Sequence, residues 1–168
     1  MDQFHDAILS PSDDLPRAIS QDLLDRSGRA YLTGDFDAFA ECFALPHRIT
    51  AFEGTIDLPD LAALQEVFLS LRDYFADNRL TDIVRTCIDA AYVDADTIRA
   101  THESRYLSGA RLIQRPAVGL STIRRLDGVW RVVDGQYAIQ DADDHVRALL
   151  RPRRRPPSAA PLLNATTD

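Results

Sequence analysis

The sequence predicts an α+β domain in which helices cover one face of a strongly curved, mainly antiparallel sheet. Three observations carry that prediction. Helical periodicity fills the first half of the chain, while period-two alternation runs from Ile83 to Tyr137. The turn signals Val93-Asp94-Ala95-Asp96, Ser108-Gly109 and Asp127-Gly128 cut that second stretch into four sequential strands. At 168 residues and 45% hydrophobic, the chain supports one domain with a real core.

Residues 1–14 read as a flexible N-terminal segment, 15–140 as the folded domain and 141–168 as a basic, Pro/Ala-rich tail that is largely disordered. Within the domain, the first helix is expected from Leu15 to Leu32. Ser12 or Asp13 would cap it, Pro16 would sit in its first turn, and Gly34 would end it. Its inner side would carry Ile19, Leu23, Ser27, Ala30 and Tyr31. A short second helix follows a cap at Asp35 or Asp37, with Phe36, Phe39, Ala40 and Phe43 at helical spacing, and Pro46 is expected to stop it. His47–Phe52 and Thr55–Asp57 flank Gly54 as a small hairpin. A third helix, Pro59 to Ala76, has Leu61, Leu64, Phe68, Leu71 and Phe75 as its buried stripe and acidic residues at its start.

Four strands come next. Ile83–Tyr92 opens the meander. Thr97–Leu107 sends Ile98, Ala100, His102, Ser104 and Tyr106 to one face and Glu103 to the other. The run Arg111–Arg125 exceeds an average strand, and Pro116, which cannot donate to a ladder, marks a bulge or an edge within it. Val129–Val133 closes the sheet with Trp130 and Val132 on one side. Asp141–Leu150 has room for one or two helical turns.

Charge narrows the choice of partners. The net charge is -7, and all 19 basic residues are Arg. From Arg147 onward the chain holds five Arg and one Asp, so the tail is about +4 and the body about -11. An acidic body is a poor match for nucleic acid. No apolar run approaches the ~20 residues that span a bilayer, no secretory signal is evident, and the expected compartment is the cytoplasm. Cys42 and Cys87 lie outside any Cys-x-x-Cys pattern and are expected to be reduced, buried thiols. No His, Cys or Asp grouping has metal-ligand spacing, and no cofactor is implied.

The segment Tyr31 to Phe43, YLTGDFDAFAECF, resembles the helix, Gly-Asp, helix, Phe opening of the NTF2-like superfamily, with its SnoaL-like and ketosteroid-isomerase branches. Asp127 to Val133, DGVWRVV, is similar to that superfamily's final hairpin. The resemblance implies a cone-shaped barrel with an internal pocket, in a homodimer that pairs through the outer face of the sheet. Aligned on Gly34-Asp35, the isomerase positions fall on Ala51 for the carboxylate base, Ser27 for the tyrosine and Ser121 for the protonated acid. Proton transfer between carbons needs those groups, so that reaction is rejected in its familiar form.

The remaining acid–base candidates are His102, Tyr106 and Asp134, the last expected to face inward beside Trp130 and Val132. Ser27, Tyr31, His47, Ser104 and Trp130 are expected to line the pocket. An outward strip of Arg99, Glu103, Arg105, Arg124, Arg125 and Arg131 is either a solvated face or a dimer interface. Three functions follow: a pocket protein that binds a small, largely apolar metabolite; a SnoaL-like enzyme that uses His102 as acid or base; and a non-catalytic accessory subunit that acts through its sheet.

Overall fold

The computed structural model describes residues 11–152, so the expectations for residues 1–10 and for the Arg-rich run after Pro152 lie outside the described residues. The chain order is α1 (Pro11–Thr33), α2 (Phe36–Ala40), β1 (Phe43–Ala51), β2 (Gly54–Leu58) and α3 (Leu61–Asp77), then β3 (Asp82–Asp94), β4 (Thr97–Ser108), β5 (Arg111–Leu112), β6 (Ala117–Leu126), β7 (Val129–Ala138) and α4 (Asp143–Leu150). The anticipated three helices, hairpin and meander are present, with differences at the boundaries.

Local chemistry explains most of the ends. Gly34 takes φ 79°, where a side chain would be strained, and its N–H bonds the Ala30 carbonyl at 2.9 Å, closing α1. Asp35 caps α2 by accepting from the Ala38 N–H at 3.0 Å, and Asp60 caps α3 by accepting from the Ala63 N–H at 2.9 Å. The spacing of Leu64, Val67, Phe68, Leu71 and Phe75 buries one face of α3.

Four expectations are corrected. α1 begins at Pro11, so Pro16 stands inside the helix and not in its first turn. Pro46 does not stop α2, which ends at Ala40; it lies within β1, where pairing with β7 breaks register between Phe43 and Arg48. A proline lacks the N–H that an unbroken ladder would use. β7 runs on to Ala138, past the expected end at Val133. Finally, α4 belongs to the domain and not to a tail, since His145, Val146, Ala148 and Leu149 are all buried.

The sheet order is β2-β1-β7-β6-β4-β3, with β5 attached to β4. Every pair is antiparallel except β1 and β7, whose parallel pairing brings the early hairpin into the same sheet as the meander. The sheet is not closed, which corrects the expected barrel: β2 and β3 remain as edges. Side chains of α1 cover part of the β3 edge. Arg17 donates to the carbonyls of Cys87 at 3.0 Å and Ile88 at 2.7 Å. Gln21 accepts from the Cys87 N–H at 2.8 Å and donates to the Arg85 carbonyl at 2.9 Å. The strand bulges at this place, between Cys87 and Asp89.

Two apolar clusters fill the space between helices and sheet. One gathers Phe39, Leu64, Val67, Phe68, Leu71 and Phe75 with Ile139, Val146 and Leu149, under α3 and α4. The other joins Leu23 and Leu24 of α1 to Cys42, Cys87, Ile98, Ile123 and Val132. Cys42 and Cys87 are both free and buried, as anticipated.

Candidate functional site between the two clusters

The site is organised by Arg85, which the alternation of β3 points inward. Its neighbours at the same parity, Ile83 and Cys87, oppose the inward residues Tyr106 and His102 of β4, and Arg85 itself opposes Ser104. The guanidinium reaches α1. Its Nη2 donates to the Leu24 carbonyl at 2.6 Å and to the Ser27 hydroxyl at 2.8 Å, while the Ser27 hydroxyl donates to the Leu23 carbonyl at 2.6 Å. Gly28 eases this approach, because a Cβ there would stand a tight 3.1 Å from Nη2. Arg85 Nε is buried with no hydrogen-bond partner among the described residues.

Two small cavities flank Arg85. The first, about 40 Å³, lies beneath α4 and is lined by Tyr31, Leu71, Phe75, Tyr106, His145 and Leu149 among others. The second, about 20 Å³, lies beneath α1 and is lined by Ser20, Ser27, Phe43, His102, Ser121 and Ile123 among others. Arg85 and Tyr137 line both, so together they form the partition between them. Roughly 10–15 Å³ admits a water, so the spaces hold about three and one to two waters respectively. No carboxylate lines either one. Wider crevices of about 330 and 440 Å³ open at the surface, beside Glu53, Asp143 and Arg147 in one case and around Trp130 and Asp22 in the other.

Burial sets the electrostatics. It holds His102 down at about 4, and the Arg85 charge pushes the same way. His145 is likewise lowered to about 4 by burial. Tyr137 is pushed up to about 12 and Tyr31 well above its usual value, in both cases by burial, against the pull of Arg85. Tyr106 is raised by burial too, with Arg85 and Ser104 opposing. At neutral pH the rings are therefore uncharged, and Arg85 carries the formal charge among the lining residues.

Of the residues expected at the site, His102, Ser104, Tyr106, Ser27 and Tyr31 do face this inner space. His102 is 2% exposed, and its ring lies so close over Gly119 that a Cβ there would meet it at 2.4 Å. Its centroid is 6.2 Å from that of Tyr137. Ser121 and Ser27, two of the isomerase-aligned positions, line the smaller cavity with it.

Three expected residues lie elsewhere. Asp134 does not face inward: register shifts between Thr122 and Ile123 leave Val133 as an extra residue in β7, so Gly135 and Tyr137 take the inner side and Asp134 pairs outward with Thr122. Trp130 stays at the rim, facing Arg125 at 5.5 Å and Tyr92 at 6.1 Å. Arg125 consequently leaves the expected outer strip and bonds Asp96 at 2.6 Å. His47 lines neither cavity. It is buried in β1 against Phe43 and lowered to about 4 by burial, although hydrogen bonding to the backbone of Val132 and Val133 offsets part of that.

Arg85, Tyr137 and His145 were missed. The first had a signal, a lone cation at inward parity between Ile83 and Cys87. Tyr137 lies at the end of the expected meander, beyond the closing strand Val129–Val133, and His145 in the expected tail. His145 Nδ1 sits 2.9 Å from the Gln114 side-chain oxygen, which also accepts from the Tyr74 hydroxyl at 2.8 Å. With the imidazole neutral, that contact places its proton on Nδ1.

No protein-family model and no curated protein sequence matches the chain. Solved structures do. A protein of unknown function with a cystatin-like fold from Nostoc punctiforme is 17% identical with a TM-score of 0.61, over 80% of this chain and 96% of that one. An NTF2-like protein of unknown function from Shewanella oneidensis is 12% identical with a TM-score of 0.59, over 73% and 98%. An NTF2-like protein with a cystatin-like fold from Novosphingobium aromaticivorans is 22% identical with a TM-score of 0.55, over 82% and 90%. The chain has the NTF2-like, cystatin-like α+β fold.

Proposed function

We propose that this chain, with its NTF2-like fold, is a pocket protein that takes a small, largely apolar molecule into the space under its helices and does not turn it over. The observation that carries the reading is the shared partition. Arg85 and Tyr137 divide the inner space into a mainly apolar, aromatic cavity under α4 and a serine-lined one under α1, and displacing the Tyr137 ring would widen the passage between them. Even merged, cavities of about 40 and 20 Å³ fall well short of the ~300 Å³ of an ordinary ligand pocket, so entry requires a lift of α4 as well. α4 is suited to it: eight residues long, it has no side-chain cap at Ala142.

The same surroundings argue against proton transfer at His102. A general base works best with a pKa near the operating pH, whereas this imidazole is held at about 4 beside a cation, with no carboxylate among the cavity-lining residues to raise it. Benzyl alcohol tests the proposal as a neutral, ring-sized probe. Saturable binding by calorimetry is expected, together with its loss on Leu149→Trp, which fills the larger cavity from α4. Binding that survives the filled cavity would place the probe elsewhere and end the proposal.

A further inference from the structure

We infer that Arg85 is the anchor for a carboxylate carried by the molecule bound in this pocket, so that the ligand class is a small monocarboxylic acid with a flat apolar body. The inference deepens the proposed function and rests on it.

An arginine offers five N–H donors, and here two contacts at Nη2 hold the group in place. Nε is buried without an acceptor, and Nη1 makes no hydrogen bond among the described residues. Every described ion pair involves some other arginine. Arg85 is half-buried, and a cation drawn partly out of water without a counter-charge carries a cost that proteins ordinarily offset with a carboxylate beside it. The side chains that could do so here are neutral tyrosines, histidines and serines, and the Leu24 and Ser27 oxygens satisfy only one nitrogen.

The placement also fits a ligand better than a structural role. Arg85 lies at the boundary of both cavities, where an anion admitted to either would meet it. Its charge reaches Tyr31, Tyr106, Tyr137 and His102. On the α4 side Leu71, Phe75, Ile83 and Leu149 suit an apolar body, and no carboxylate lines that cavity. Guanidinium and carboxylate together are neutral, and the tyrosine hydroxyls remain available as further donors to the carboxylate oxygens.

The test compares sodium benzoate with benzyl alcohol, which differ chiefly in the charged group, by calorimetry at pH 7 in a buffer free of small carboxylates and phosphate. Benzoate is expected to bind at least about tenfold more tightly, since a charge-assisted hydrogen bond is roughly twice as strong as a neutral one. Arg85→Met should bring benzoate down to the level that the same variant shows for benzyl alcohol, while Arg85→Lys should keep part of the preference. Should Arg85→Met fail to fold, the Arg85 Nε–H resonance of the unaltered protein gives the answer: benzoate should shift it and benzyl alcohol should not. Equal affinities, or a benzoate affinity indifferent to Arg85, would overturn the anchor and leave the pocket standing. Failure of both probes to bind would overturn the two together.

Discussion

The two ends of the helical layer are held to the sheet by different means. Under α3 and α4 the contact is aromatic: Phe75 of α3 meets Tyr106 of β4 at 5.6 Å, and Phe68, within 5.4 Å of Tyr31, Phe36 and Phe39 centroid to centroid, ties α3 to the other helices above it. Along α1 hydrogen bonds are added to the apolar packing of Leu23 and Leu24, with Arg17, Gln21 and Ser27 bonded to β3. Apolar packing is non-directional and tolerates many arrangements, whereas hydrogen bonds to a strand edge fix one register. The difference teaches where a binding site can form. Arg85 belongs to the polar end by its bonds and to the aromatic end by its position, and both cavities open along that seam.

The largest effect expected from this division is on stability in acid. His47, His102 and His145 are each held at about 4, below the ~6.5 of a free imidazole. Between these values the unfolded chain binds more protons than the folded one, so stability falls as pH drops from about 6.5 to 4 and is level above. Each ring contributes a loss of roughly 3 kcal/mol. Urea midpoints measured across that range should slope accordingly, and His145→Phe should flatten the slope by its own share. An unchanged slope would mean that the ring under α4 meets water.

A smaller loss is expected at the aromatic end itself. Phe68→Ala removes a ring that is 1% exposed and should cost about 3–5 kcal/mol in equilibrium unfolding. A cost below about 1 kcal/mol would show that end to be loosely packed. The smallest effect belongs to the polar end. Gln21→Ala unpairs the Cys87 N–H and the Arg85 carbonyl, at about 1 kcal/mol. Its sharper sign is local: faster exchange of the Cys87 amide, with amides under α3 unaffected. Uniform acceleration would contradict the division between the ends.

Much of this architecture was legible in the sequence because its signals are local. The Asp35 and Asp60 caps, the Gly34 stop and the alternation through His102 each depend on a few neighbouring residues. What escaped depends on distant ones. Nothing near Phe43–Ala51 announces that it pairs in parallel with β7, and that pairing is what places Pro46 in a strand. The extra residue at Val133 is equally silent, yet it turns Asp134 away from the interior and brings Tyr137 in. His145 was overlooked because a short acidic segment next to an Arg/Pro-rich run reads as tail, although α3, β1 and β2 cover its apolar side. Arg85 is the opposite case, since the alternation that selected His102 on β4 selects Arg85 on β3.

An unclosed sheet leaves two borders at which a foreign chain could continue the ladder. At Cys87 and Ile88 that continuation is pre-empted, because the carbonyls a newcomer would need already accept from Arg17, and the Cys87 amide already donates to Gln21. A strand joining there would first have to peel away the opening turns of α1. Extension of the ladder at this border therefore carries the cost of undocking a helix.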